Sequence, residues 1–274
     1  MRLKAFIVIV CTVLLISGCS QVDSLVKKVP FLSKEKQEEK NVDPNKKNQK
    51  QVQTPKKDST ISLAAIFFNE IKEVDGKNVI QNPANILALV NKQYYFPNVY
   101  IPTDLIRPDV DFSFGKEQVE KSLLRKEAAD ALTQMFTDAK KSGIELLAVS
   151  GYRSYSRQKE VFDAEVNRVG KDNAIQAVAI PGASEHQSGL AMDISSKSNH
   201  LELSEGFADT NEGKWLAENA HRFGFILRYP KGKEGITNYE YEPWHFRYVG
   251  VKAAKIIFEH QWTLEEYFNE VKKI

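Results

Sequence analysis

The chain has 274 residues, 42% of them hydrophobic and 27% charged, which allows one sizeable domain plus extensions. Its formal net charge of +2 gives a nucleic-acid partner no electrostatic support. The only two cysteines, Cys11 and Cys19, precede the globular part, so the body holds no disulfide, no thiolate nucleophile and no cysteine metal ligand, and cysteine-peptidase chemistry is excluded.

Arg2 and Lys4 form a short positive region, Ala5 to Ile16 is almost uninterrupted apolar sequence, and Ser17-Gly18-Cys19 follows at once. A charged start, a short apolar core and small residues before a cut site describe a secretory signal rather than a membrane span. Ile16-Ser17-Gly18-Cys19 also resembles a bacterial lipobox. That resemblance implies cleavage before Cys19, diacylglycerol on its sulfur and attachment to a membrane through the lipid chains. Residues 1–19 are therefore read as the signal and 20–60 as a tether. The tether carries ten Lys against six acidic residues, which leaves about −4 for the remainder from Ile61 onward. It is poor in large apolar residues and cannot offset the entropy of ordering, so it is expected to be disordered. Forty-one such residues reach at most roughly 140 Å fully extended and roughly 35 Å as a coil.

Residues 61–274 are read as one domain. Asn82-Pro83 looks like a cap with Pro at the first helical position, which predicts a helix through Ile86, Leu87 and Val90. Tyr94 to Asp111, rich in Pro and aromatics, is expected to wrap the body without regular structure. Glu117 to Lys141 is predicted as an amphipathic helix, with Gly143 placed as its C-cap glycine. A strand follows at 144–149, then a helix capped by Ser154 and a short helix opened by Asp172. In the strand 189–195, Leu190, Met192 and Ile194 take one face while Ala191, Asp193 and Ser195 take the other. A helix over 214–223, strands over 225–229 and 241–249 and a helix over 252–259 complete the body. Thr263 with Glu266 marks a capping box for the last helix. Few, short strands among helices indicate an α+β fold on a small, mainly antiparallel sheet.

Two of the five histidines sit in unusual company. His186 lies in Ser184-Glu185-His186-Gln187-Ser188-Gly189-Leu190-Ala191-Met192-Asp193, and His245 ends Glu242-Pro243-Trp244-His245. Two imidazoles and one carboxylate make a three-ligand zinc site with an open fourth position, the pattern of catalytic zinc. With neutral His186 and His245 and ionised Asp193, such a centre keeps a charge of about +1 and can lower the pKa of bound water to roughly 7. Asp193, on the face opposite the apolar residues of a core strand, needs a charged partner or a metal. Gly189 lets the chain bend so that His186 and Asp193 converge. Glu242, three residues before His245, is the candidate general base. On a straight strand Glu242 and His245 would face opposite ways, which predicts a bend or bulge at Pro243.

These residues resemble the VanY-type zinc D-alanyl-D-alanine carboxypeptidases. Ser184-x-His186-x-x-Gly189-x-Ala191-x-Asp193 matches the family's first metal motif and Glu242-Pro243-Trp244-His245 its second. Ser150-Gly151-Tyr152-Arg153-Ser154, followed by Gln158, matches its substrate-binding segment. The resemblance covers roughly Asn85 to the C-terminus and implies the fold of zinc D-Ala-D-Ala peptidases and Hedgehog-like domains. It implies zinc on His186, Asp193 and His245, with Glu242 as base. It further implies Arg153 on the polarised carbonyl or the substrate carboxylate, and Ser184 and Gln158 on the terminal residue. Tyr152 either lines the pocket or packs in the core. The implied activity is removal of a C-terminal D-alanine from peptidoglycan stem peptides, with the D,D form placed first and the L,D form second. An endopeptidase cutting within the stem and a non-catalytic wall-binding lipoprotein remain the alternatives. A serine acyl-enzyme is disfavoured: among the Ser-x-x-Lys patterns, Ser24 and Ser33 lie in the tether, and Ser156 follows Lys141 in the reverse of that family's order. A monomer is expected, facing the cell wall.

Overall fold

The computed structural model describes residues 61–274, so the signal, the lipobox with Cys19 and the tether lie outside the described residues. In chain order the elements are Ser62–Leu63 (β1), Ile71–Val74 (β2), Lys77–Ile80 (β3), Tyr94–Tyr95 (β4), Leu105–Ile106 (β5), Leu124–Arg125 (β6), Lys126–Lys141 (α1), Leu147–Ser150 (β7), Tyr155–Val169 (α2), Lys171–Ala177 (α3), Ala191–Ser195 (β8), Asn211–Asn219 (α4), Phe225–Leu227 (β9), Glu234–Thr237 (α5), His245–Tyr248 (β10), Val251–His260 (α6), Leu264–Glu270 (α7) and Lys272–Lys273 (β11).

The period-2 alternation around Met192 organises the centre. Strands β7-β8-β10-β9 form a four-stranded sheet that is antiparallel throughout. One face carries Ala148, Leu190, Met192, Ile194, Phe246, Phe225 and Tyr248, and all of these join one apolar cluster with α1. Helix α1 meets them with Ala128, Leu132, Met135 and Ala139, spaced four, three and four apart on a single stripe. Leu132 and Met135 are both 0% exposed, and burying each contributes about 1.5–3 kcal/mol. The other face carries Asp193, His245 and Arg247, and these are buried as well. A second cluster joins Ile226 and Val249 to α6 and α7. Thr263 caps α7 with the full capping box: its hydroxyl accepts from Glu266 N–H while the Glu266 carboxylate accepts from Thr263 N–H. Strand β1 pairs in parallel with β11, so the start of the described chain is clamped to its end.

The α+β reading and the antiparallel sheet stand, but two helix predictions need correction. Residues 82–90 are not helical. The Asn82 side chain accepts from Glu70 N–H and donates to the Phe68 carbonyl instead of capping a helix, and the Ile86 and Ala88 carbonyls accept from Arg247. With those groups committed to tertiary partners, the helical ladder cannot form. The helix predicted from Glu117 starts at Lys126, because Leu124–Arg125 pairs with Leu105–Ile106 and the Lys121 and Leu123 carbonyls accept from Gly151 and Tyr152 N–H. The segment 94–111 is a wrap as expected, although Tyr94–Tyr95 and Leu105–Ile106 make short ladders within it.

Candidate metal and catalytic site

Asp193 sits in the middle of β8 and His245 opens β10, and the antiparallel register sets them directly opposite one another. Cross-strand partners share a face, so both project away from the apolar layer on α1. His186 arrives from outside the sheet, on a 3₁₀ turn over Glu185–Ser188. Gly189 ends that turn at φ +66°, in the left-handed region that glycine adopts without penalty. A Cβ at Gly189 would also lie 2.8 Å from Leu105 Cδ2.

One donor atom from each of His186, Asp193 and His245 falls within 4.8 Å of the others, and all three residues are buried. His186 Nε2 lies 3.3 Å from Asp193 Oδ2, and His245 Nδ1 lies 2.9 Å from Asp193 Oδ1. The outward nitrogens are held too. His186 Nδ1 is 2.7 Å from the Gly151 carbonyl, and His245 Nε2 is 3.3 Å from Glu185 Oε2. Burial lowers the pKa of His186, against the pull of Asp193, and keeps the ring in the neutral form that a ligand needs. Burial also opposes charge on His245, but hydrogen bonds from its ring to Asp193 and Glu185 outweigh it and raise the pKa to about 10. Asp193 is buried yet held well below the usual carboxylate range by the two imidazoles.

The bend expected at Pro243 is a turn over Pro243 and Trp244, closed by His245 N–H donating to the Glu242 carbonyl at 3.1 Å. It brings Glu242 Oε2 to 3.9 Å from His245 Nδ1, the ring nitrogen that also faces Asp193. Desolvation, against the attraction of His245, pushes the Glu242 carboxyl up to about 7, in the range of a group that exchanges protons near neutrality. Arg153 stands at the start of the segment leading into α2. Its guanidinium donates to Gln158 Oε1 at 2.9 Å and to Ser150 Oγ at 3.3 Å.

The other residues singled out in the sequence are placed as follows. Gln158 is buried with both ends of its amide engaged, Oε1 by Arg153 and Nε2 by the Ala179 carbonyl at 2.7 Å, so its contact in this structure is with Arg153. Ser184 is buried at the start of the 3₁₀ turn. Tyr152 is 4% exposed, and its enclosed hydroxyl has no hydrogen-bond partner among the described residues.

Four charged residues went unread in the sequence. Glu185 is fully buried, and its Oε1 accepts from Arg228 Nε and Arg247 Nη1, each at 2.8 Å. Arg228 in turn donates to both oxygens of Glu265, at 2.8 and 2.7 Å. The available signal was the arginines themselves: Arg228 directly follows the apolar run Phe225-Ile226-Leu227 and Arg247 stands between Phe246 and Tyr248, where a charge has to be paired.

The donor set fits a divalent cation. Four carboxylates (Glu185, Asp193, Glu242 and Glu265) face three guanidinium groups (Arg153, Arg228 and Arg247), so the cluster calls for further positive charge, which the His245 imidazolium supplies here and a bound cation would supply once both rings are neutral. Two nitrogens and one carboxylate oxygen are the three protein ligands of a catalytic zinc site rather than the four of a structural one.

A centre of this composition serves hydrolysis, and with this fold around it the protein falls in the class of metallopeptidases. The chain belongs to the VanY family of D-alanyl-D-alanine carboxypeptidases, whose model matches residues 121–251. It is 63% identical over 216 residues to the putative carboxypeptidase YodJ of Bacillus subtilis (strain 168), which covers 79% of each chain. Among solved structures it is similar to the LdcB LD-carboxypeptidase, described for its recognition of peptidoglycan, with a TM-score of 0.76 and 63% identity across 78% of this chain and 100% of that one. It is also similar to the vancomycin-resistance D,D-pentapeptidase VanY of a VanB-type cassette in complex with Zn(II). That match has a TM-score of 0.54 and 36% identity over 67% of this chain and 98% of that one. The chain is thus a peptide hydrolase of the carboxypeptidase type with the α+β fold of its family.

Proposed function

We propose that this protein is a zinc carboxypeptidase that releases the C-terminal D-alanine of peptidoglycan stem peptides, with the tetrapeptide stem as its preferred substrate. The observation that carries the hydrolytic reading is the convergence of His186, Asp193 and His245 within 4.8 Å, with Glu242 3.9 Å from His245. Preference for the tetrapeptide is supported by the 63% identity to an L,D-enzyme. The D,D reading, on the pentapeptide, is second and is supported by the family description and the 36% identity to a D,D-enzyme.

Zinc held by His186, Asp193 and His245 supplies a Lewis acid that polarises a carbonyl and acidifies water. The chain's own residues do the rest. Glu242 takes a proton from the attacking water and returns it to the departing amine, as the new C–O bond forms and the C–N bond breaks. Arg153 presents a permanent charge and a planar fork, fixed by Gln158 and Ser150, to the terminal carboxylate or the developing oxyanion. The sequence of residues 1–60 supports attachment through lipid on Cys19 at the outer face of a bacterial membrane. Substituting Cys19→Ala should move the protein out of the membrane fraction; retention there would contradict the anchor.

Mass spectrometry of defined tetrapeptide and pentapeptide stems incubated with the purified protein tests the substrate. Loss of one alanine from the tetrapeptide, abolished by a chelator and restored by zinc, is expected. Turnover of the pentapeptide alone would make the D,D reading correct, and cleavage inside either stem would overturn the carboxypeptidase reading.

A further inference from the structure

We propose that Glu185 is a positioning residue that decides which nitrogen of His245 faces the metal. This inference rests on the reading of His186, Asp193 and His245 as zinc ligands. A neutral imidazole carries one N–H, and the nitrogen that ligates must be the bare one. His245 turns Nδ1 toward Asp193 at 2.9 Å, on the side where the three ligands would hold zinc, so in the loaded, neutral ring the proton belongs on Nε2, and there the neighbouring acceptor is Glu185 Oε2 at 3.3 Å.

The two oxygens of Glu185 have separate duties. Oε1 accepts from both Arg228 Nε and Arg247 Nη1, which leaves Oε2 for the ring. Each arginine is itself fixed. Arg228 is clamped by Glu265, while Arg247 donates to the carbonyls of Ile86, Ala88 and Tyr248. The sheet puts this support beside the ligand it serves. Arg247 lies two residues beyond His245 on the same face of β10, and Arg228 N–H donates to the His245 carbonyl at 3.2 Å. His186 offers the contrast. Its outward nitrogen meets the backbone carbonyl of Gly151, so its orientation is set by the main chain. The orientation of His245 is set by a side chain, and an anionic one, which makes the ring a stronger donor to a metal.

Two measurements on the intact protein test this. The first is ¹⁵N-histidine NMR of the zinc-loaded wild type, which should show His245 protonated on Nε2 and bound to metal through Nδ1. The second is zinc competition against a chromogenic chelator with Glu185→Gln, which keeps the shape and removes the charge. Its zinc Kd should rise about 10–100-fold, the usual effect of losing an outer partner of a ligating histidine. The Nε2–H signal of His245 should shift or exchange faster, with an unchanged far-UV circular dichroism spectrum. Coordination through Nε2, or a Glu185→Gln variant with wild-type zinc affinity, would overturn the inference while leaving the zinc site in place. Should the variant fail to fold, the wild-type spectrum still decides. A wild-type protein that takes up no zinc would overturn the ligand reading, and this inference with it.

Discussion

Replacing Arg228 by Met tests the buried charge network that supports the site. Arg228 is 0% exposed and makes three charge-assisted hydrogen bonds, one to Glu185 at 2.8 Å and two to Glu265 at 2.8 and 2.7 Å. Met fills much of the same volume and offers none of them. Glu185 keeps Arg247, and Glu265 keeps the neutral Asn91 amide at 3.2 Å but no cation. Removing one partner of a buried ion pair costs about 3–5 kcal/mol, and at roughly 2–4 °C per kcal/mol for a domain of this size the Tm should fall by roughly 6–20 °C. The loss should depend on pH. In the native protein burial pushes the Glu265 carboxyl up, but Arg228 outweighs burial and holds it below the usual range. Its stabilising contribution is therefore present above the unfolded-state pKa and is lost as pH falls through the folded value. Without the guanidinium, burial favours the protonated acids, so the variant gains relative stability as it takes up protons. The gap between wild type and variant should narrow from about pH 7 to about pH 4.5. Urea denaturation followed by circular dichroism at constant zinc measures both. A loss below about 1 kcal/mol at neutral pH, the worth of an exposed pair, would refute the reasoning. So would a gap that widens in acid.

Other substitutions probe neighbouring parts of the account. In Gly151→Ala the new Cβ would stand 2.5 Å from the Leu123 carbonyl oxygen and 2.9 Å from Met192 Cε. Overpacking of this kind costs roughly 1–3 kcal/mol, and displacing the Gly151 carbonyl should also weaken zinc binding through His186. Denaturation and zinc titration measure the two effects, and wild-type values in both would contradict the close approach. Thr263→Ala removes the capping box of α7 and should cost about 1 kcal/mol by urea denaturation without changing zinc affinity.

The candidate site was legible in the sequence because its ligands obey local rules. Period-2 alternation placed Asp193 opposite Met192 and Ile194, and the spacing of Glu242 and His245 required the turn found at Pro243 and Trp244. The capping boxes and glycine stops depend on only a few residues and were equally readable, as at Thr263 and Gly143, the latter at φ +75°. What could not be read depends on partners far along the chain. Asn82-Pro83 looks like a helix start, but Arg247, about 160 residues away, takes the carbonyls a helix would need. Glu185 appeared in the motif without a role, because its role is defined by Arg228, Arg247 and His245, which are 43–62 residues distant. The early hairpin of β2 and β3 gave no signal either, since all but its last two residues are exposed and carry no burial pattern.

The most direct test of the zinc-hydrolase reading is zinc content measured beside turnover of the tetrapeptide stem in wild type, His186→Ala and Glu242→Gln. The account predicts one zinc per chain and activity in the wild type, neither in His186→Ala, and one zinc with turnover reduced by about 10²–10⁴ in Glu242→Gln. Full activity in Glu242→Gln, or undiminished zinc in His186→Ala, would contradict it.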